Sequence, residues 1–170
     1  MPRLHVVFSH GQESGPWGTK ITAMAEVAKK ARASVESIDY RGIADPSARV
    51  EKLVESQQNS ESRLLLVGSS MGGHVACAAA MRLRPAGVFV LAPAFYMPGF
   101  ENLTPLAPDC PLAIVHGWSD DVVPAEHSLR YGRESHCELY MVQGDHRLTD
   151  NLELINHLFL NFIQQVRAAK

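Results

Sequence analysis

Short apolar runs alternate with longer amphipathic segments along the whole of this 170-residue chain. Residues 64–67 and 88–91 are apolar at every position, which is typical of parallel strands that are covered on both faces. The alternation of such runs with helical segments predicts an α/β fold whose sheet is all parallel. The predicted strands cover residues 4–9, 34–39, 63–68, 87–91, 112–116 and 137–142.

Between these strands, apolar residues recur at helical spacing. Residues 21–31 predict a first surface helix. Asp45 followed by Pro46 marks the start of a second, because proline suits the first helical position. Residues 71–84 are apolar nearly all round, so we expect a buried helix there. A final helix should begin behind Asp150 and pack one apolar stripe across the sheet.

Residues 92–111 stand apart from this regular pattern. They hold five of the ten prolines and show neither a helical nor a strand period. We therefore expect an irregular excursion over the carboxyl edge of the sheet. Long irregular loops inside compact domains are usually functional, which makes this segment a candidate for substrate contacts.

The composition is that of an ordinary globular protein, with 46% hydrophobic and 20% charged residues. At this length we expect one domain that spans residues 1–170. Sixteen Lys and Arg residues oppose eighteen Asp and Glu residues, which gives a formal net charge of -2. Because no excess of positive charge is present to attract phosphate backbones, we expect no nucleic-acid partner.

No apolar run approaches the ~20 residues that cross a bilayer, and the first residues lack the pattern of a signal peptide. We therefore expect a cytoplasmic protein with no membrane partner. Cys77, Cys110 and Cys137 form no C-x-x-C pair, which favours buried free thiols. Neither H-E-x-x-H nor a G-x-G-x-x-G after a strand occurs, so we expect no metal and no nucleotide cofactor. The sequence leaves the oligomeric state open.

A G-x-S-x-G motif occupies residues 68–72, with Ser70 in its centre. The apolar third strand leads directly into it and an alanine-rich helix follows, which is the context of a nucleophile elbow. A Cβ atom at Gly68 or Gly72 would collide with the neighbouring strand or helix, which explains the two glycines. The N-terminus of the helix would offer the Met71 N–H to an oxyanion. The alternative is a glycine-rich turn that carries a solvated serine.

A serine hydroxyl is a weak nucleophile unless a base takes its proton and a third group orients that base. Both partners should follow the carboxyl ends of predicted strands, where they can reach the elbow. His146 follows the last strand, whereas the histidines between it and the fifth strand lie in a helical stretch or start a strand. Asp120 and Asp121 both follow the fifth strand, and one of the two is expected to be the orienting acid.

Four blocks carry a wider resemblance: FSHGQ at residues 8–12, GSSMGG at 68–73, H-G-x-x-D-x-x-V-P at 116–124 and GDH at 144–146. Together they resemble the α/β-hydrolase superfamily, in a small single-domain bacterial form related to dienelactone-hydrolase-like and esterase-like proteins. The resemblance extends over almost the whole chain. It implies a three-layer αβα sandwich with about six parallel strands in the order 2-1-3-4-5-6. This is a minimal α/β-hydrolase fold without a cap domain, beginning at what is the third strand of larger relatives.

The resemblance also implies roles for individual residues. The acid of the family falls four residues after the histidine of an H-G pair, which selects Asp120. The second oxyanion donor of the family maps to the backbone N–H of Gln12, beside that of Met71. His10 and His116 are expected to hold loops by hydrogen bonds rather than to react.

We therefore expect a cofactor-independent serine hydrolase that cleaves a carboxylic ester or thioester of a small substrate. The acyl group would pass to Ser70 and then to water, with His146 and Asp120 completing the triad. The site should be open and shallow. The candidates for substrate contacts are Trp17, Phe95, Tyr96 and Met97.

Two other interpretations stay open. The first is a ligand-binding protein that keeps the hydrolase scaffold without turnover, because a fold does not fix a function. The second is amidase, acyltransferase or perhydrolase chemistry at the same triad. Each of the four aromatic or apolar candidates for substrate contacts could also be simple surface packing.

Overall fold

The computed structural model describes residues 3–169, and its strands form one sheet. The strands are β1 (Leu4–Ser9), β2 (Ser34–Ile38), β3 (Arg63–Ser69), β4 (Gly87–Leu91), β5 (Leu112–Gly117) and β6 (Glu138–Val142). All the pairings are parallel, and the spatial order is β2-β1-β3-β4-β5-β6. The predicted sheet is therefore confirmed, and every predicted strand matches an observed one to within one residue at either end.

Helices cover both faces of the sheet. They are α1 (Thr19–Lys30), α2 (Pro46–Gln57), α3 (Met71–Leu83), α4 (Ala125–Ser135) and α5 (Leu152–Ala168). α1 and α5 pack on one face, where Phe89 and Phe159 lie in the core with ring centroids 5.1 Å apart. α2, α3 and α4 pack on the other face, around residues such as Leu66 and Val75. Across residues 3–169, no helix combines the length and the apolar character that a membrane crossing requires.

Two helix boundaries follow directly from local residues. Asp45 precedes α2, and its carboxylate accepts the Ala48 N–H at 2.8 Å, with Pro46 at the first helical position. α3 ends because Arg84 adopts the left-handed conformation, with φ 46°. The observed end of α3 at Leu83 is one residue before the predicted one.

The connection over residues 92–111 begins at the carboxyl edge of the sheet, where the Ala94 N–H donates to the Ser70 carbonyl at 2.9 Å. Because β4 and β5 are parallel, the chain then crosses to the amino end of β5. It crosses without an α-helix and contains one short 3-10 turn at Glu101–Leu103. Tyr96 marks its course, because the Tyr96 hydroxyl donates a hydrogen bond to Glu134 of α4 at 3.0 Å. This connection adds no cap domain.

The cysteines are free thiols, but their predicted burial holds fully only for Cys77. Cys110 and Cys137 are half-buried, since they precede β5 and β6 at the amino edge of the sheet. Burial raises the pKa of the Cys110 thiol to about 11. These thiols are therefore poor nucleophiles at neutral pH.

Candidate active site

Ser70 occupies a strained turn between β3 and α3. Its backbone has φ 56° and ψ -120°. L-residues rarely adopt this strained conformation, and residues that do are often found at functional sites. Two hydrogen bonds, one to the end of β4 and one to the segment after it, hold it there. The Ser70 N–H donates to the Leu91 carbonyl at 2.9 Å, and the Ala94 N–H donates to the Ser70 carbonyl at 2.9 Å. The predicted strand–turn–helix context of the motif is therefore present.

The glycines of the motif allow backbone segments to approach closely. A Cβ atom at Gly68 would overlap the carbonyl group of Gly72, and one at Gly72 would overlap the carbonyl group of Ser9 at the end of β1. In both cases the obstructing atoms are backbone atoms, which cannot rotate away as a flexible side chain can. The turn therefore depends on glycine at both positions.

Replacing Gly72 by alanine is expected to lower the free energy of unfolding by about 4 kcal/mol or more, because β1 and α3 would have to separate. Urea unfolding followed by circular dichroism measures this change. Gly18→Ala is the matched control, since an added Cβ meets nothing within 4 Å and φ -66° suits alanine. We expect the control to change the free energy of unfolding by about 1 kcal/mol or less. A change as small as this in Gly72→Ala would contradict the packing.

Ser70, His146 and Asp120 form one continuous chain of hydrogen bonds. Asp120 Oδ2 lies 2.7 Å from His146 Nδ1, and His146 Nε2 lies 3.1 Å from Ser70 Oγ. Because a carboxylate only accepts hydrogen bonds, the proton lies on Nδ1, and Nε2 is left to accept the Ser70 hydroxyl. This arrangement can take the proton of Ser70 as its oxygen attacks an electrophile.

The carboxylate of Asp120 is fully buried and well supplied with donors. Its Oδ1 accepts the N–H groups of Val122 and Val123, both at 2.8 Å. Burial by itself raises the pKa of Asp120, but the hydrogen bonds from His146, Val123 and Val122 outweigh it and hold the pKa below its usual value. Asp120 is therefore ionised at neutral pH, whereas the neighbouring Asp121 is exposed.

His116 supports Asp120 from within the core. Its Nε2 lies 3.0 Å from Asp120 Oδ2 and 3.0 Å from the Val123 carbonyl oxygen, while its Nδ1 lies 2.6 Å from Ser128 Oγ. Burial lowers the pKa of His116, so the ring is neutral and carries its proton on Nε2. His116 thus holds the loop after β5 by hydrogen bonds, as the family resemblance implies.

The two predicted oxyanion donors, the N–H groups of Met71 and Gln12, belong to segments next to Ser70. Met71 opens α3, so its N–H has no partner within the helix and lies at the positive end of the helix dipole. Gly11 packs against the elbow, because a Cβ atom on it would lie 3.4 Å from Ser70 Cβ. The N–H of Gln12 belongs to the peptide that follows Gly11, and the Gln12 side chain is exposed. Met71 thus follows Ser70 directly, and Gln12 follows a residue that packs against Ser70.

The four predicted substrate contacts occupy different environments. Trp17 is 51% exposed in the loop between β1 and α1, and Met97 is half-buried after β4. The structure corrects the prediction for Phe95, because its ring is 0% exposed and stacks on Tyr131 with centroids 4.0 Å apart. Tyr96 directs its hydroxyl to α4. Trp17 and Met97 thus stay the better candidates.

Two surface cavities, of about 470 and 260 Å³, lie elsewhere on the protein. The larger is lined by Arg63, Arg82 and Arg84 beside the amino end of β3, and the smaller lies at the amino ends of β5 and β6. Neither is lined by a residue of the hydrogen-bonded chain at Ser70. Among residues 3–169, no group of three or more His, Cys, Asp or Glu side chains is placed to hold a metal ion.

One residue beside the site was missed by sequence reasoning. Arg49 of α2 is only 2% exposed, and its Nη1 lies 3.2 Å from the His10 carbonyl oxygen and 3.3 Å from that of Gly11. A signal was present in the sequence, because Arg49 stands four residues before Leu53 on the buried stripe of the helix. A charged residue on such a stripe is rare unless it is paired.

Comparison with known proteins supports the fold. A model described as the alpha/beta hydrolase family matches residues 6–159. One solved structure is that of a hydrolase of the alpha/beta superfamily from Xanthomonas campestris pv. campestris. It is 26% identical with a TM-score of 0.85, and the match covers 95% of this chain and 98% of that chain. Est1E from Butyrivibrio proteoclasticus is 19% identical with a TM-score of 0.82, covering 98% and 89%. An alpha-beta serine hydrolase homologue from Coxiella burnetii is 20% identical with a TM-score of 0.72, covering 94% and 84%. The curated proteins contain no match to this chain.

Proposed function

This chain belongs to the alpha/beta hydrolase family, and on that premise we propose that it is a serine hydrolase that cleaves a carboxylic ester or thioester of a small substrate. The family and its solved relatives support hydrolase activity in general. The single observation that carries the more specific proposal is the hydrogen-bonded chain from Ser70 through His146 to Asp120. Isolated serines lack such a chain and are unreactive.

In the first half of the reaction, Ser70 Oγ attacks the substrate carbonyl carbon and its proton moves to His146 Nε2. Asp120 keeps the imidazole in the required tautomer and stabilises the imidazolium that forms. The carbonyl oxygen becomes an oxyanion and accepts the N–H groups of Met71 and Gln12. When the carbon–oxygen or carbon–sulfur bond breaks, the leaving alcohol or thiol takes the proton from His146.

In the second half, water attacks the acyl group on Ser70. His146 accepts a proton from this water and returns it to Ser70 Oγ as the carboxylic acid leaves. No redox step and no further reactant are needed. The buried, ionised Asp120 supports both halves, because an imidazolium forms in each.

Labelling with a fluorophosphonate probe tests the proposal directly. We expect the intact mass to show one adduct and peptide mapping to locate it on Ser70, because the probe reacts only with activated serines. A parallel panel of p-nitrophenyl esters of increasing chain length, with one thioester and one anilide, should show turnover of the esters or the thioester. Protein that is folded by circular dichroism but takes no label would overturn the proposal. Turnover of the anilide alone would indicate an amidase instead.

A further inference from the structure

Arg49 carries a buried charge whose partners are neutral. Its Nε donates to the Ile43 carbonyl at 2.7 Å, and its Nη1 donates to the carbonyls of His10 and Gly11. Within residues 3–169, no carboxylate oxygen lies within 4.0 Å of its guanidinium nitrogens. Its carbon Cζ lies 5.3 Å from the centre of the Tyr40 ring. The charge is therefore stabilised by carbonyl oxygens and an aromatic ring.

Burying a cation in this way is unfavourable for stability. Removing a guanidinium from water without a counter-ion is unfavourable, and burial lowers the pKa of Arg49. Arginine nevertheless stays protonated at neutral pH. An apolar side chain at this position would fill the same space without that penalty. The location of the charge therefore needs an explanation beyond packing.

The carbonyl of Gly11 receives two donors. Besides Arg49, it accepts His10 Nδ1 at 2.7 Å. The Tyr40 N–H donates to His10 Nε2 at 2.8 Å, so Nε2 carries no proton and Nδ1 carries one. Burial also lowers the pKa of His10, which keeps the ring neutral. One cation and one neutral N–H thus converge on a single carbonyl oxygen.

That carbonyl belongs to the same peptide group as the Gln12 N–H. In a trans peptide the C=O and the N–H point in opposite directions, so anchoring the oxygen fixes the direction of the N–H. The positive charge of Arg49 next to the oxygen also draws electron density away from the nitrogen, which makes the N–H a stronger donor. Gly11 meanwhile packs against Ser70, beside which the oxyanion of the substrate would form.

We propose that Arg49 is a positioning residue for the reaction, which orients and polarises the Gly11–Gln12 peptide so that the Gln12 N–H stabilises the oxyanion. This inference rests on the proposed function, since it requires an oxyanion next to Ser70. The charge of Arg49 then stabilises the transition state, in which negative charge develops, more than it stabilises the ground state. Its effect should therefore fall on kcat rather than on KM.

Three variants test the role of Arg49. Arg49→Met keeps the bulk of the side chain without its charge, and Arg49→Lys keeps the charge without the planar fork that reaches two sites at once. Arg82→Met is the matched control, because Arg82 is an exposed arginine that pairs with Glu51 away from the elbow. We would measure kcat and KM on the best p-nitrophenyl ester, the rate of fluorophosphonate labelling, and the thermal melting curve of each protein.

We expect Arg49→Met to lower kcat and the labelling rate by about 30- to 100-fold with KM changed by less than about threefold, as for a weakened oxyanion donor. Arg49→Lys should lower kcat by roughly tenfold, a loss smaller than that of Arg49→Met. The kcat of Arg82→Met should match that of the wild type. If Arg49→Met does not fold, Arg49→Lys decides. Folded Arg49 variants whose kcat stays within threefold of the wild type would overturn the positioning role while the wild-type label on Ser70 still supports the hydrolase. A wild type that takes no label would instead remove the proposed function itself.

Discussion

Replacing Ser70 by alanine is expected to lower kcat by roughly 10⁵- to 10⁶-fold on the best ester substrate. In the proposed mechanism the substitution removes the atom that forms the acyl-enzyme, whereas the proposed oxyanion donors stay in place. The His146 ring then has no hydroxyl proton to accept, although its bond to Asp120 is kept. The residual rate should be that of substrate bound near Met71 and Gln12 and attacked slowly by water.

Ser119→Ala controls for this measurement. Ser119 lies in the loop after β5, and its hydroxyl accepts only the exposed amide of Gln143, at 3.2 Å. We expect the Ser119 variant to keep wild-type turnover and the Ser70 variant to melt within a few degrees of the wild type. A purified Ser70→Ala protein that retains a tenth or more of the wild-type rate would show that Ser70 is not the nucleophile.

Replacing Asp120 by asparagine is expected to lower kcat by about 10⁴-fold. An amide has nearly the same shape as the carboxylate, and its oxygen can still accept the N–H groups of Val122 and Val123. Its NH₂ group would then face His146 Nδ1 and donate to it, which moves the ring proton to Nε2. In that tautomer the imidazole cannot accept the proton of Ser70.

Asp121→Asn is the matched control, because Asp121 is the next residue, carries the same charge and is exposed. Turnover of the two variants on one ester, measured side by side, assigns the acid. We expect Asp121→Asn to keep turnover within about twofold of the wild type, as for a surface change away from the reaction. Equal losses in both variants would mean that the net charge of the loop matters rather than the hydrogen bond to His146.

Much of the fold was predictable because parallel sheets leave a strong pattern. Strands covered on both faces must be apolar at every position, and helices must carry a stripe at helical spacing. His146 and the pair of Asp120 and Asp121 were located by the same logic, since the carboxyl ends of parallel strands meet at one edge, and the family resemblance then selected Asp120. Position relative to a strand therefore located side chains that are far apart in sequence.

The errors arose where long-range partners decide the structure. Phe95 lies in a segment without a regular period, and its burial depends on Tyr131 of α4, which no local pattern connects to it. Arg49 was overlooked because the partners that connect it to the site are backbone carbonyls 38 and 39 residues away. Backbone groups are present at every position, so sequence patterns give no sign of which one will bind a given side chain.

The spacing of the hydrogen-bonded chain along the sequence also has a consequence for how the protein is made. Ser70 and His146 are 76 residues apart, and β6 pairs only with β5 at the far edge of the sheet. The ribosome releases the elbow long before it releases the base, and domains fold as units once enough of the chain has emerged. A growing chain therefore carries Ser70 without its proposed base, and the proposed nucleophile becomes reactive only after β6 and the loop with His146 have been made.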